Sequence, residues 1–279
     1  MAHNLASLLK YVSPDVPIVL YASESLIQTV DARLFHSIHT LPESEFRHKI
    51  TGRIEPAKAK CQAYRLGIAA GLTEFLFLDV DGAAINDIEP LLDHLKGSIV
   101  ATEVTGTGKR SDTINYSIWA SNAQMWRHFD LAPDATLCGV QSSWMYFEKH
   151  PINDGLQTQL DHYINEGMPL GGFKMNWGDA IPDEFIYAGC FARMGMIPSL
   201  PPGTPKRPIF FGHAKRKETP AQVRDQYHIV SIYGGGNGKG RGLTQPQWLK
   251  MYDQTLSLTG RVWYPATQVM SDKHANGRG

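Results

Sequence analysis

The chain has 279 residues, of which 42% are hydrophobic, and its 27 basic and 27 acidic side chains leave no net charge. That length can bury one large α/β core or two modest ones, and the composition is that of an ordinary globular protein. The first residues lack the positive, apolar, small-residue order of a secretory signal, and no apolar run approaches the roughly 18 residues a membrane span needs.

The three cysteines, Cys61, Cys138 and Cys190, are far apart and odd in number. They point to reduced thiols in a cytoplasmic setting and exclude a clustered zinc site. The charge is unevenly spread: residues 1–200 hold 15 Lys and Arg against 23 Asp and Glu, whereas residues 201–279 hold 12 against 4. A basic end beside an acidic body suits either an anionic partner or a solvated basic face.

Taken in order, the run from Pro17 to Ser23 predicts a first strand, closing on the turn Ala22, Ser23, Glu24. Arg33 to His39 reads as a second strand. Pro56 suits a helix start, Ala57, Cys61, Tyr64 and Ile68 follow at helical spacing, and Gly71 suits the stop. The four apolar residues Phe75 to Leu78 then predict a short, fully buried strand. Ile85 to Leu95 is a loop entering a helix that Gly97 ends, Ser98 to Val104 is a strand, and residues 105–112 form a loop. Tyr116 to Ala120 is a strand candidate. Ser121 with Gln124 three residues on is a capping box for a helix to about residue 130. Leu137 to Phe147 reads as a polar turn followed by a strand. Asn153 suits the cap of a helix carrying Leu156, Leu160, Tyr163 and Ile164. Trp177 to Glu184 is an acidic turn, and Phe185 to Met194 is helical. Ile209 to Phe211 and His228 to Tyr233 are apolar runs, the second broken by the glycine-rich stretch 234–240. A last helix is capped by Thr244 and stops at Gly260.

The chemistry concentrates where the Phe75 strand ends. Asp79 and Asp81 follow at once and are punctuated by Gly82. On extended backbone, residues two apart point the same way, so two carboxylates project together from the carboxyl end of a buried strand, where open α/β sheets bind ligands. Such a pair repels itself and is costly to bury. Either it merely solvates a strand end, or it holds a divalent cation that takes oxygen ligands.

The segment TEFLFLDVD, with a helix before it and NDIEPLLDHL after it, resembles the nucleotide-sugar glycosyltransferases of the GT-A fold over about residues 56–95. The resemblance implies an α/β fold: a single GT-A-like domain with a central, mostly parallel sheet flanked by helices. Residues 1–130 would be its nucleotide-sugar-binding half, 131–215 its acceptor-side half, and 216–279 a basic extension packed on the same domain. It also implies Mn²⁺ or Mg²⁺ on the diphosphate of a UDP-sugar donor, with Asp79 near the ribose and Asp81 as a direct ligand. VQSSWMYF is similar to the Asn-Ser-Gly strand that lines the donor sugar in that family; Gln141, Ser142 and Ser143 stand in its place and Trp144 replaces the expected glycine, so the match is imperfect. IFFGHAKRK is similar to the segment that supplies a histidine ligand and a diphosphate-binding lysine in glycogenin-like members. His213 and Lys215 would take those roles, although the full HxxGxxKPW is absent. Ala22, Ser23 and Lys58 complete the expected donor-binding set with Asp79, Lys215 and Lys239, the last on the glycine-rich loop. In the acidic turn, Asp183, Glu184 and Asp179 are the candidates for handling the acceptor hydroxyl proton; Asp179 could equally cap the following helix.

Two other classes compete. FLFLDVDG also resembles the nucleophile motif of haloacid-dehalogenase phosphatases, and GDAIPD their late Gly-Asp-x-x-x-Asp, with Asp79 as nucleophile and Asp81 as general acid. Against this, Ala83 stands where that family has Thr or Val, the motif normally opens the fold, and no apolar strand precedes GDAIPD. A nucleic-acid-binding module without catalysis would use the basic end but leaves the acidic pair unexplained. Lys206, Arg207, Lys215, Arg216, Lys217, Arg224, Lys239 and Arg241, interleaved with Phe210, Phe211, Tyr227 and Tyr233, suit a phosphate backbone with bases to stack. A hydroxymethylated pyrimidine in DNA, flipped into the site, is therefore the expected acceptor, with glycans, proteins and small molecules as alternatives.

Overall fold

The structure is a computed structural model that describes residues 2–47, 52, 56–112, 120–165, 183–204, 206–212, 219–232 and 253. Its elements run α1 (Ala2–Val12), β1 (Val19–Ala22), α2 (Glu24–Ile27), β2 (Ser37–Thr40), α3 (Pro56–Lys60), α4 (Ala63–Ala69), β3 (Glu74–Leu78), β4 (Gly82–Ala84), α5 (Glu89–Leu95), β5 (Val100–Ala101), β6 (Val104–Gly108), α6 (Asn122–His128), β7 (Leu137–Val140), β8 (Trp144–Glu148), α7 (Pro151–Asn165), α8 (Asp183–Arg193), β9 (Arg207–Gly212), α9 (Pro220–Gln226) and β10 (Tyr227–Ile232).

The β3-β8-β5 sheet packs on both faces, which explains the unbroken apolar run in β3, but Phe75 to Leu78 are half-buried rather than fully buried as that run suggested, and β8 is the buried strand. Side chains alternate across it. Phe75 and Phe77 of β3 and Met145 and Phe147 of β8 join a core with α4, α6, α7 and α8. Leu76 and Leu78, with Trp144 and Tyr146, join a second core with α1 and α5. Both cores draw on residues before and after position 130, and the second reaches from Leu5 to Ile229.

The α/β class holds. Parallel pairing holds for β1 with β2 and for β9 with β10, while β3–β8, β5–β8, β6–β7 and β4–β10 are antiparallel. The helix expected from Pro56 onward breaks at Cys61 and Gln62 into α3 and α4. Gly71 and Gly97, at φ of 81° and 82°, follow α4 and α5, conformations only glycine adopts without strain. The Ser121–Gln124 capping box is formed. Other details differ. Residues 105–108, expected as loop, extend β6 and pair with β7. Residues 33–36 are a 3-10 turn and its exit, so β2 begins only at Ser37. Asn153 does not cap α7, which begins at Pro151; its amide instead donates to the carbonyls of Ile99 and Glu148, both at 2.7 Å. The strand candidate at 116–120 and the helix at 244–260 lie largely outside the described residues. No helix among the described residues is long and apolar enough to cross a membrane.

Candidate active site

The alternation of β3 that sends Phe75 and Phe77 toward α8 continues into Asp79. The backbone is fixed there, because the Asp79 amide donates to the Ser143 carbonyl at 2.9 Å and Gly82 N reaches the Asp79 carbonyl at 3.4 Å. From the other side, α3 ends at Lys60, whose carbonyl accepts the Tyr187 hydroxyl of α8 at 2.9 Å. Lys60 Nζ lies 3.0 Å from Asp79 Oδ2 and 2.7 Å from Asp183 Oδ2, and donates to Ser142 Oγ at 3.4 Å. The Ser142 hydroxyl in turn donates to Asp183 Oδ2. One ammonium thus joins the end of β3, the β7–β8 turn and the first turn of α8. The carboxylate of Asp183 also sits where a helix N-terminus favours negative charge.

Asp81 lies on the same turn, and its Oδ1 accepts the Ser231 hydroxyl of β10 at 3.3 Å. Three carboxylates and one ammonium leave a net charge of −2 when all are ionised. Burial, partly offset by the Lys60 ammonium and reinforced by the charge of Asp81, pushes the Asp79 carboxyl up to about 7. Burial also raises Asp81, against the pull of Lys60 and the Ser231 hydrogen bond. Burial works against the charge on Lys60, but Asp183 and Asp79 outweigh it and hold the amine above its ordinary value.

Of the residues singled out from sequence, Asp79, Asp81 and Asp183 come together. Glu184 follows Asp183 in the first turn of α8, partly exposed. Ala22 is buried at the end of β1, its carbonyl accepting Leu41 N at 2.8 Å, and Ser23 Oγ lies 3.2 Å from Ser25 Oγ at the start of α2. Lys58 turns away from the acidic pair; its amine donates to the carbonyls of Arg47 at 2.5 Å and Ser44 at 3.4 Å. Lys60, two residues on, meets Asp79 instead. Asp179, His213, Lys215 and Lys239 lie outside the described residues. Among the described residues no group of three or more His, Cys, Asp and Glu side chains could hold a metal ion.

Sequence reasoning missed Lys60 and Ser231. A signal for Lys60 was present: it adjoins the buried stripe of Ala57, Cys61 and Tyr64 on the helix that leads into the acidic strand. A lysine so placed needs an acidic partner. Ser231 sits in an apolar run and carries no comparable mark. The Gln141 side-chain oxygen, beside Ser142, is buried without a hydrogen-bond partner among the described residues.

No protein-family model matches the chain, and no curated protein matches it. Several solved structures are similar to it. An active-site mutant of LgtC is 12% identical with a TM-score of 0.48, over 96% of this chain and 94% of that one. The apo structure of the bifunctional glycosyltransferase WbbM is 12% identical with a TM-score of 0.49, over 93% of this chain and 49% of that one. The apo form of mouse xyloside xylosyltransferase 1 is 10% identical with a TM-score of 0.43, over 86% of this chain and 92% of that one.

Proposed function

We propose that the chain is a metal-dependent glycosyltransferase that moves a sugar from a nucleotide-diphosphate donor, a UDP-sugar, to a hydroxyl acceptor. The observation that carries this reading is the Asp79–Lys60–Asp183 bridge at the carboxyl end of a half-buried strand that packs on both faces, with Asp81 two residues on.

Asp79 and Asp81 fit a hard divalent cation. They offer oxygen ligands, burial raises both carboxyls, the charge of Asp81 raises Asp79 further, and the net charge of −2 matches one Mn²⁺ or Mg²⁺. When bound, such an ion stabilises the charge that develops on the nucleoside diphosphate leaving group. Lys60 holds Asp79 and Asp183 at a fixed separation and offsets part of their repulsion. For an inverting transfer, the residue assigned to take the acceptor hydroxyl proton is Asp183, anchored by Lys60 and Ser142, with Glu184 beside it and Asp179 as a further candidate; a retaining enzyme would use these side chains differently. The oxygen of Gln141, without a partner among the described residues, supports a donor hydroxyl against the β7–β8 turn, since a buried acceptor left alone costs about 1–3 kcal/mol. His213 remains a candidate metal ligand, Lys215 and Lys239 remain candidates for the diphosphate, and Ala22 and Ser23 for the nucleoside.

The phosphatase reading is weaker. Helices α1 to α4 and strands β1 and β2 precede the acidic strand, whereas in that family the motif opens the fold.

For the acceptor, a hydroxymethylated pyrimidine in DNA is favoured by the basic residues 206–241. Three of these lie together: Lys206 Nζ donates to the Arg224 carbonyl at 3.1 Å, and Arg207 adjoins Lys206 with its side chain 66% exposed. The free, buried Cys61, Cys138 and Cys190 suit a cytoplasmic setting. The reading is tested by incubating the protein with a panel of nucleotide sugars and Mn²⁺. Release of free nucleoside diphosphate that EDTA abolishes supports it. Cleavage of a generic phosphomonoester with phosphate trapped on Asp79 overturns it.

A further inference from the structure

We infer that Ser231 is the positioning residue for Asp81, so that β10 sets the carboxylate that would take the cation. The inference rests on the glycosyltransferase reading and adds a residue to it.

Strand β10 lies between β4 and β9, and its register is fixed on both sides. Against β4, Ile229, Val230 and Ser231 face Ala84, Ala83 and Gly82. Against β9, Ser231 faces Phe211 and Ile232 faces Gly212. Ser231 therefore stands opposite the residue that follows Asp81. It is 2% exposed, and its hydroxyl donates to Asp81 Oδ1 at 3.3 Å. A side chain with one rotatable bond on a strand paired along both edges has little freedom to leave.

The same strand also holds the far end of the acidic loop. The His228 carbonyl accepts the amides of Ile85 at 2.9 Å and Asn86 at 3.2 Å, and the His228 ring Nδ1 lies 2.6 Å from the Asp87 carbonyl. The approach is close: a Cβ added at Gly82 would come within 3.2 Å of Ile229 Cγ2. β10 thus fixes the backbone on which Asp81 rides, but that alone leaves the carboxylate free to rotate. Repulsion from Asp79 would turn it toward water. The Ser231 hydroxyl opposes that rotation and leaves the remaining lone pairs of the carboxylate for a cation. A hydrogen-bonded partner of this kind orients a metal-binding carboxylate. By contrast, β9, whose end precedes His213, is one strand further out, about 10 Å from β4 at the usual strand spacing.

The test compares Ser231→Val with Ser231→Thr, which match in shape and differ in the hydroxyl. Mn²⁺ affinity is measured by calorimetry on the full chain, together with UDP affinity without metal and the thermal midpoint. Ser231→Val should weaken Mn²⁺ binding about ten- to hundredfold. Ser231→Thr should stay near the unsubstituted protein, and metal-free UDP affinity should not move in either. Equal Mn²⁺ affinity in folded Val and Thr variants overturns the inference and leaves the wider reading intact. Absence of Mn²⁺ binding in the unsubstituted protein, seen before any variant is made, overturns the metal reading and this inference with it. If Val at this buried position prevents folding, Ser231→Ala, which is smaller than serine, is read against the same thresholds.

Discussion

Lys60 and Asp183, from two helices far apart in sequence, meet with Nζ 2.7 Å from Oδ2. The same ammonium lies 3.0 Å from Asp79, and the three side chains are between 17% and 25% exposed. The contact therefore carries more than a surface ion pair does. It fastens the first turn of α8 to the end of β3, the two places from which the candidate chemistry projects.

Removing the ammonium should therefore disturb both stability and turnover. Lys60→Met leaves Asp79 and Asp183 facing each other half-buried, at a cost of about 2 kcal/mol once partial exposure is allowed for. Loss of the fixed spacing should lower transfer by about a hundredfold or more. Lys60→Arg should recover stability better than rate, because a planar fork cannot copy a point charge between two carboxylates. Thermal denaturation and steady-state kinetics on the three proteins check this. Normal turnover in Lys60→Met would remove Lys60 from the site.

Asp81→Asn should abolish transfer and donor hydrolysis while the protein stays folded. Without metal the variant should be as stable as the parent or slightly more so, since a charge that raises Asp79 is gone. Activity in EDTA equal to that in Mn²⁺ would contradict the metal role directly.

The pH dependence of stability has a definite sign. The Asp79 carboxyl lies at about 7 in the folded chain against an ordinary 3.8, so between those values the folded state binds the extra proton. Its contribution is fully present below pH 4 and is lost as pH rises through 7, a change on the order of 4 kcal/mol for metal-free protein. Asp81, raised in the same direction, adds to the slope. Burial lowers the imidazoles of His128 and His228, and these act oppositely just below pH 6.5. The difference between parent and Asp79→Asn isolates the carboxyl. Urea midpoints from pH 4 to 8 should fall for the parent and change less for the variant, and Mn²⁺ at pH 7.5 should restore the parent. A parent curve that rises with pH by as much as that of the variant would rule this out.

The parts of the fold legible in the sequence were those set by local pattern. The run Phe75 to Leu78 marked a strand, though a half-buried one, Ser121 and Gln124 marked a cap, and the position of Asp79 and Asp81 after the strand marked the candidate site. What was not legible depended on tertiary pairing. Residues 105–108 became a strand because β7 lies beside them. Asn153 was drawn from a capping role by two backbone acceptors. The choice of Lys60 over Lys58 follows from helical phase, since residues two apart point to nearly opposite sides of a helix, and only the fold says which side holds Asp79. Helix α9 was passed over although Thr219 and Gln222 carry the same capping-box pattern as Ser121 and Gln124, with Pro220 in the first turn.

Gly67 in α4 tests the packing behind the site. A Cβ built there would come within 2.3 Å of the Phe75 ring, so the helix approaches β3 as closely as it does because this residue has no side chain. On an exposed helix, Gly→Ala gains about 1 kcal/mol. Here overpacking should reverse the sign, and Gly67→Ala should lose about 1–3 kcal/mol. Because Phe75 lies on the strand that ends at Asp79, activity should fall as well. Urea denaturation that shows a stabilised variant would mean the ring has room to move aside.

The acceptor is tested by salt. If Lys206, Arg207 and Arg224 belong to a surface that holds DNA, binding must release condensed counterions. The logarithm of affinity should then fall linearly with the logarithm of salt, by about 0.9 for each phosphate neutralised in duplex. Replacing the three by Ala should flatten the slope by about that amount for each lost contact and slow transfer to hydroxymethylated DNA. Nucleoside diphosphate release without acceptor should hardly change, since none of the three touches Asp79, Asp81 or Lys60. The Arg207 contact with Glu103, at 4.0 Å and largely exposed, is too weak for its loss to unfold the chain. Mass spectrometry of nucleosides after reaction gives the decisive reading: a sugar-sized gain on a pyrimidine identifies DNA as acceptor. Salt-insensitive binding with no gain on any DNA would assign these charges elsewhere and return the acceptor to glycan, protein or small-molecule hydroxyls.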